Sequence, residues 1–276
     1  MDTTSLGDRM KNYENAYRVY LPNRLPVIVR CDMRAGHTYT RDFHRPFDLF
    51  MHKAMVETAK ALCAEVSGCK MAYTQSDEIS LLITNNDTIE TQPWFRNNLQ
   101  KIVSLTAAKA SIVFQQKMHS IVDCESMECT AEDEYRDTLY RKYIAHLNDV
   151  MFDSRAFILP EDEVVNYLLW RQRDATRNSI QMAARAYFSH KECDNKNCDE
   201  LQEMLFQKGI NWNNYEVWQK RGSCIKKINV EMPIVYGKDI NNLKSKVVKR
   251  SRWIEDTNTP IFTENRAYIE NLFLHN

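Results

Sequence analysis

Asp32 closes the run Val27-Ile28-Val29-Arg30-Cys31-Asp32, and Ser76-Asp77-Glu78 stands between two apolar runs. A sheet can bring carboxylates at strand ends together, where they hold a divalent cation against a triphosphate. Each acid also has an ordinary reading, since an aspartate after a strand or in a hairpin is commonly a turn former or helix cap. The joint pattern, with Glu78 beside Asp77, raises metal-assisted phosphoryl or nucleotidyl chemistry, and spacing alone leaves the choice open.

The elements that must position these acids follow from periodicity. Residues 1–24 read as a helix and its exit, with Tyr13, Tyr17 and Tyr20 at helical spacing. Pro26–Cys31 suits a buried strand, and Phe47–Ala64 carries a helical apolar stripe. Val66–Ala72 and Ile79–Thr84 read as two strands joined through Thr74-Gln75-Ser76-Asp77, and a long helix is expected over Trp94–Lys117. The charged segment 123–150 gives little periodicity. A strand at Ala156–Leu159 then precedes a helix from Glu161 to Phe188, whose opening acids suit a helix N-terminus. Lys191–Asp199 reads as a break, and the last third alternates short helices and strands before a basic run of Lys244, Lys246, Lys249, Arg250 and Arg252. The order implies an α+β fold with a palm-like, ferredoxin-like antiparallel sheet covered by helices on one face. It also suggests a catalytic domain over 1–190 and a helical, basic extension over 191–276.

Composition narrows the classes. The 276 residues are 43% hydrophobic and 27% charged, a globular balance, and the formal net charge is zero. Zero net charge argues against a protein basic throughout, but a local basic patch suffices for nucleic acid. Glycine occurs six times, and neither G-x-x-x-x-G-K-[ST] nor G-x-G-x-x-G is present. Any triphosphate must therefore be held by metal, side chains and helix N-termini. Met1-Asp2-Thr3-Thr4-Ser5 lacks a secretory pattern, and no apolar stretch approaches the roughly 20 residues that span a bilayer. A cytoplasmic protein with no membrane partner is expected, its eight cysteines reduced. Cys124-x4-Cys129 and Cys193-x4-Cys198 are spaced too widely for a zinc knuckle, with only His190 nearby.

Several strings, in fixed order, carry a resemblance: Val29-Arg30-Cys31-Asp32, His37-Thr38-Tyr39-Thr40-Arg41, Arg45-Pro46-Phe47-Asp48, Tyr73 to Glu78, Phe152 to Arg155, Trp170 to Ile180, and Lys220-Arg221-Gly222. Together they resemble the tRNA-His guanylyltransferase superfamily, especially its guanylyltransferase-like branch. The resemblance implies a reverse, 3′-to-5′ nucleotidyltransferase that activates a tRNA 5′ end, using ATP when that end is a monophosphate. The 3′-hydroxyl of an incoming nucleotide then attacks the activated phosphate. By the same resemblance Asp32, Asp77 and Glu78 are the catalytic acids. Asp32, Asp77 and the Met33 backbone carbonyl would hold two Mg²⁺ ions, and ATP and GTP are substrates. Arg34, His37, Arg45, Ser76, Lys101 and Asn178 match positions near the nucleotide, while Lys220, Arg221, Lys249 and Arg250 are candidates for contact with tRNA. A homotetramer is implied.

Two departures bear on activity. Met33 replaces a glycine, tolerable only where the backbone needs no positive φ, and Gly36 replaces an aromatic residue near the base. Thr176-Arg177-Asn178-Ser179 stands for a His-Ile-Asn-Asn motif, which favours the branch that repairs truncated 5′ ends on a template. A palm-type nucleotide cyclase and a catalytically impaired tRNA-binding relative are the alternatives.

Overall fold

The computed structural model describes residues 4–127, 134–148, 150–236 and 244–274. Helix α1 (Ser5–Ala16) leads to β1 (Val27–Met33), a one-turn α2 (Gly36–Tyr39) and α3 (Leu49–Glu65). The hairpin β2 (Cys69–Gln75) and β3 (Glu78–Ile83) follows, then α4 (Leu99–Met127), α5 (Glu134–His146) and β4 (Phe152–Ile158). Next come α6 (Glu163–Tyr187), α7 (His190–Cys193), α8 (Cys198–Gln207) and α9 (Val217–Arg221). The chain ends with β5 (Ser223–Tyr236), β6 (Lys244–Asp256) and α10 (Ala267–Leu274).

All six strands form one antiparallel sheet in the order β4-β1-β3-β2-β5-β6. Val27, Val29, Cys31, Ile79, Leu81 and Ile83 point to one face and pack with Ala54, Met55 and Leu62 of α3 and Ile102, Phe114 and Met118 of α4. Ile28, Met71, Tyr73 and Leu82 make a second apolar face, which Val164, Val165 and Leu168 of α6 and Ile269 of α10 cover. Helices thus lie on both faces rather than the one expected, because the central strands are apolar on both sides. A third cluster joins Ile180, Ala183 and Ala184 of α6 to Phe47 and to Leu201 and Leu205 of α8.

Element boundaries shift for local reasons. The Asp48 carboxylate accepts from the Met51 amide at 2.8 Å and starts α3 at Leu49. Helix α4 begins at Leu99 rather than Trp94, because Phe95, Arg96 and Asn97 take positive φ. Backbone bonds from Leu21 to Asn97 and from Leu99 to Val19 hold that turn against the segment after α1. For the same reason α1 ends at Ala16, and Tyr20 bridges to Asn98. Strand β4 starts at Phe152, earlier than its apolar residues suggest. It is an edge strand whose Asp153 and Arg155 remain solvated.

The last third alternates short helices with strands, as expected, and its two strands are long. Strand β5 pairs with β2 only from Ser223 to Lys226, while its pairing with β6 continues to Tyr236↔Lys244. The hairpin therefore leaves the sheet as a two-stranded arm. Gly222 makes the junction possible: it sits at φ 71°, and a Cβ there would lie 2.6 Å from the Thr74 carbonyl oxygen. Among the described residues no helix is long and apolar enough to cross a membrane.

Candidate active site

Register brings the acids together. In β1–β3 pairing Asp32 lies directly opposite Glu78, so both project from the α6 face of the sheet. Asp77 occupies the two-residue connection between β2 and β3, beside Ser76 at φ 50°, and its carbonyl accepts from the Met33 amide at 3.0 Å. That bond pins the β2–β3 turn to the end of β1. A left-handed non-glycine residue is costly and persists where surrounding structure imposes it. Ala35, at φ 56° just before α2, is a second such residue on the rim of the same site.

The three carboxylates differ in how they are compensated. Glu78 is 7% exposed and receives a bidentate clamp from Arg171 of α6, Nε to Oε1 at 2.8 Å and Nη2 to Oε2 at 2.6 Å. Arg30 stands 3.8 Å from its other side, and Ser80 donates to Oε1 at 3.3 Å. Burial pushes the Glu78 carboxyl up and Arg171 opposes that rise. Asp77 is also pushed above the usual carboxylate range, first by burial and then by the neighbouring Asp32. Among the described residues, neither Asp32 nor Asp77 has a lysine or arginine in ion-pair contact. The strand ends therefore carry uncompensated negative charge on oxygen donors.

Oxygen donors of this kind suit a hard divalent cation. Among the described residues no three histidine, cysteine or acidic side chains form a cage, so a cation here must draw most of its ligands from water or phosphate. Mg²⁺ coordinates in that way. Met33 is absent from the positive-φ residues and buries its side chain in the core, so methionine is compatible with the backbone at this place. Gly36 has a different constraint. A Cβ there would sit 2.0 Å from Asp77 Oδ2, so the Asp77 carboxylate packs against the glycine and fills the space an aromatic side chain would need.

A pocket opens beside Asp77. His37, Arg45, Ser76 and Asn178 all line it, as do Arg41, His44 and Arg185, with Asp48 and Asp77 its only acids among the described residues. Four of the six expected nucleotide contacts thus converge. Arg34 and Lys101 do not: Arg34 approaches Met151, and the Lys101 ammonium lies 5.7 Å above the Phe95 ring. Lys101 lies in the first turn of α4, next to the left-handed Phe95 that its ammonium covers. Sequence reasoning missed Arg41 and Arg185. Arg41 stands in a string already singled out, and Asn178, Met182 and Arg185 repeat at helical spacing along one side of α6.

The four basic candidates for tRNA contact are scattered. Lys220 donates to the Asn213 carbonyl at 2.6 Å, and burial, then Arg221, lower its pKa. The Arg221 carbonyl accepts from the buried Tyr73 hydroxyl at 2.6 Å. On the arm, Lys249 pairs opposite Glu231 and Arg250 opposite Val230, so their side chains leave opposite faces. Arg250 shares its face with Arg252 and Lys246. Cys193 and Cys198 pack among the apolar residues between α6 and α8, where burial raises both thiols. Cys129 lies outside the described residues.

Comparison with known proteins gives one consistent set of relatives. The family profile described as tRNAHis guanylyltransferase matches residues 7–160. A bacterial tRNA(His) guanylyltransferase-like protein, solved in complex with ATP, is 42% identical over 98% of this chain and 100% of that one, with a TM-score of 0.78. The corresponding complex with GTP gives a TM-score of 0.74. The tRNA(His) guanylyltransferase of Debaryomyces hansenii is 26% identical over 213 residues, 72% of each chain.

Two outcomes follow from the geometry. Arg171→Met leaves Glu78 buried without its partner and should cost about 3–5 kcal/mol in urea unfolding, a loss that adding Glu78→Gln reduces. Because the Asp77 carboxyl is raised in the folded state, the native protein holds that proton more tightly than the unfolded chain. Charged Asp77 therefore costs stability at neutral pH, and the cost is relieved as pH falls through its folded-state pKa. Without added divalent cation, Asp77→Asn should raise the melting temperature at pH 7 and flatten its rise as the solution is acidified. An unchanged or lower melting temperature would show that Asp77 is compensated.

Proposed function

Since the chain belongs to the tRNAHis guanylyltransferase family, we propose that it is a 3′-to-5′ nucleotidyltransferase that adds nucleotides to the 5′ end of tRNA. The observation that carries this reading is the convergence of Asp32 and Asp77, neither with a lysine or arginine in ion-pair contact among the described residues, with Asp77 lining a cation-rich pocket. Asp32, Asp77 and the Met33 carbonyl would hold two Mg²⁺ ions, which when bound stabilise the attacking and leaving oxygens of an in-line displacement.

The chain's own groups supply positioning. Ser76, Arg45, His37 and Asn178, with Arg41 and Arg185, are placed to bind phosphates of ATP or GTP by charge and hydrogen bonding. Glu78 acts through its neighbours: its carboxylate is committed to Arg171, so it sets the charge and register beside Asp32 rather than taking up a cation. Arg171 in turn fixes the part of α6 that ends in Asn178 and Arg185. The near full-length likeness to a bacterial guanylyltransferase-like protein, and Thr176-Arg177-Asn178-Ser179 in place of His-Ile-Asn-Asn, support templated repair of shortened 5′ ends. Residues 191–276, with Lys220, Arg221, Lys249 and Arg250, are proposed to extend the RNA contact of a catalytic region over 1–190, within a homotetramer.

Nucleotide addition to a tRNA lacking its first 5′ nucleotide tests this reading. The native chain should extend that RNA in the presence of Mg²⁺, ATP and the nucleoside triphosphate that pairs with the template base. Asp32→Ala and Asp77→Ala should each lose roughly a thousandfold or more in rate, as expected when several kcal/mol of transition-state stabilisation is removed. Equal extension by the native chain and either variant would overturn the carboxylate assignment. A cyclic nucleotide made from triphosphate alone, with no RNA extended, would favour the cyclase instead.

A further inference from the structure

The acids have a second flank, away from the pocket. Across β1–β4, Arg30 lies opposite Arg155 and Asp32 opposite Asp153, so these four side chains project from the α6 face beside Glu78. Arg155 is half exposed and pairs with Asp153 at 2.9 Å. An ion pair this open to solvent contributes little to stability, so Arg155 can turn to another anion at small cost. Arg30 Nε is buried and makes no hydrogen bond, and its nearest anion is Glu78 at 3.8 Å.

Trp170 of α6, the helix that covers this face, is 53% exposed although it adjoins Arg171. The Arg171 guanidinium lies 4.6 Å from its ring centre and Tyr167 braces its edge at 5.8 Å between centroids. Tyr167 is itself fixed by Ser80 at 3.1 Å and by Phe157 of β4. The indole is thus packed against Arg171 and Tyr167 on part of its surface, and about half of the residue is open to solvent. An aromatic ring held open in this way beside arginines is how single-stranded RNA bases are stacked and their phosphates gripped.

We propose that Trp170 stacks on a base at the 5′ end of the RNA substrate while Arg155 and Arg30 bind its terminal phosphates. This inference rests on the nucleotidyltransferase reading and adds a division of labour: the triphosphate pocket lies on one side of Asp32 and Asp77, the RNA end on the other. The two substrates then meet at the acids from opposite flanks. Trp170 is a binding residue here and Arg171 a positioning residue, since the same guanidinium clamps Glu78 and backs the ring.

Steady-state nucleotide addition and direct ATP binding, measured on the full chain, separate this from other roles. Trp170→Ala should raise KM for truncated tRNA about tenfold or more and leave the Kd for ATP unchanged, the size expected for one lost base stack. Trp170→Phe should recover most of that loss. Arg155→Gln, at a half-exposed position whose change leaves the core intact, should raise the RNA KM more for a 5′-triphosphate end than for a 5′-monophosphate end activated with ATP. The proposal is overturned if both Trp170→Ala and Arg155→Gln leave the RNA KM unchanged. It is also overturned if ATP binding weakens in parallel, or if sedimentation shows that Trp170→Ala acts by dissociating an oligomer. Should the native chain extend no tRNA, the enzyme reading fails. Filter binding of RNA to the native and Trp170→Ala chains would then still decide whether this flank binds an RNA end.

Discussion

The bidentate pair between Glu78 and Arg171 ties the two halves of the molecule together. Glu78 belongs to the sheet and Arg171 to the helix that covers it, 93 residues later in the chain. Burying this pair carries a large desolvation cost, which good geometry and extra hydrogen bonds must offset. Ser80 supplies a hydrogen bond to Glu78, and Arg30 and Asp174 add opposite charge at 3.8 and 3.3 Å. Once the pair forms, α6 has one rotation and one height above the sheet. Asn178 and Arg185 then face the pocket, and Trp170 faces the opposite flank.

The same pair explains why three neighbouring carboxylates behave differently. Glu78 has a cation built into the protein. Asp32 and Asp77 have none among the described residues, and Asp77 sits in a turn held by a left-handed Ser76 and by the Met33 amide. The sheet thus compensates Glu78 and leaves the two acids at its strand ends without a cationic partner among the described residues. A folded chain tolerates such an arrangement where a ligand completes the charge, at some expense in stability. Gly36 contributes by omission, since any side chain there would displace the Asp77 carboxylate.

Much of this was legible in the sequence, for identifiable reasons. Val27–Met33 and the β2–β3 hairpin are short apolar runs with acids at their ends, so strands and candidate ligands were visible together. The helical repeat of α6 and its acidic start were equally plain. The partner of Glu78 was not, because nothing local links it to a residue 93 positions away. The late start of α4 was hidden too, because it depends on a turn held by backbone bonds to Val19 and Leu21. The arm formed by β5 and β6 escaped for a further reason. Its strands pair mainly with each other, so Lys246, Arg250 and Arg252 stay exposed among apolar residues and blur the alternation.

The account stands on Asp32 and Asp77 forming one cation-binding edge from which Glu78 is withheld. Crystals grown with Mn²⁺ and a non-hydrolysable ATP analogue, measured for anomalous scattering, test this directly. The account predicts two Mn²⁺ peaks, both ligated by Asp32 and Asp77, with Glu78 still on Arg171. Peaks ligated by Glu78 or Asp153, or nucleotide bound with no metal at the strand ends, would contradict it.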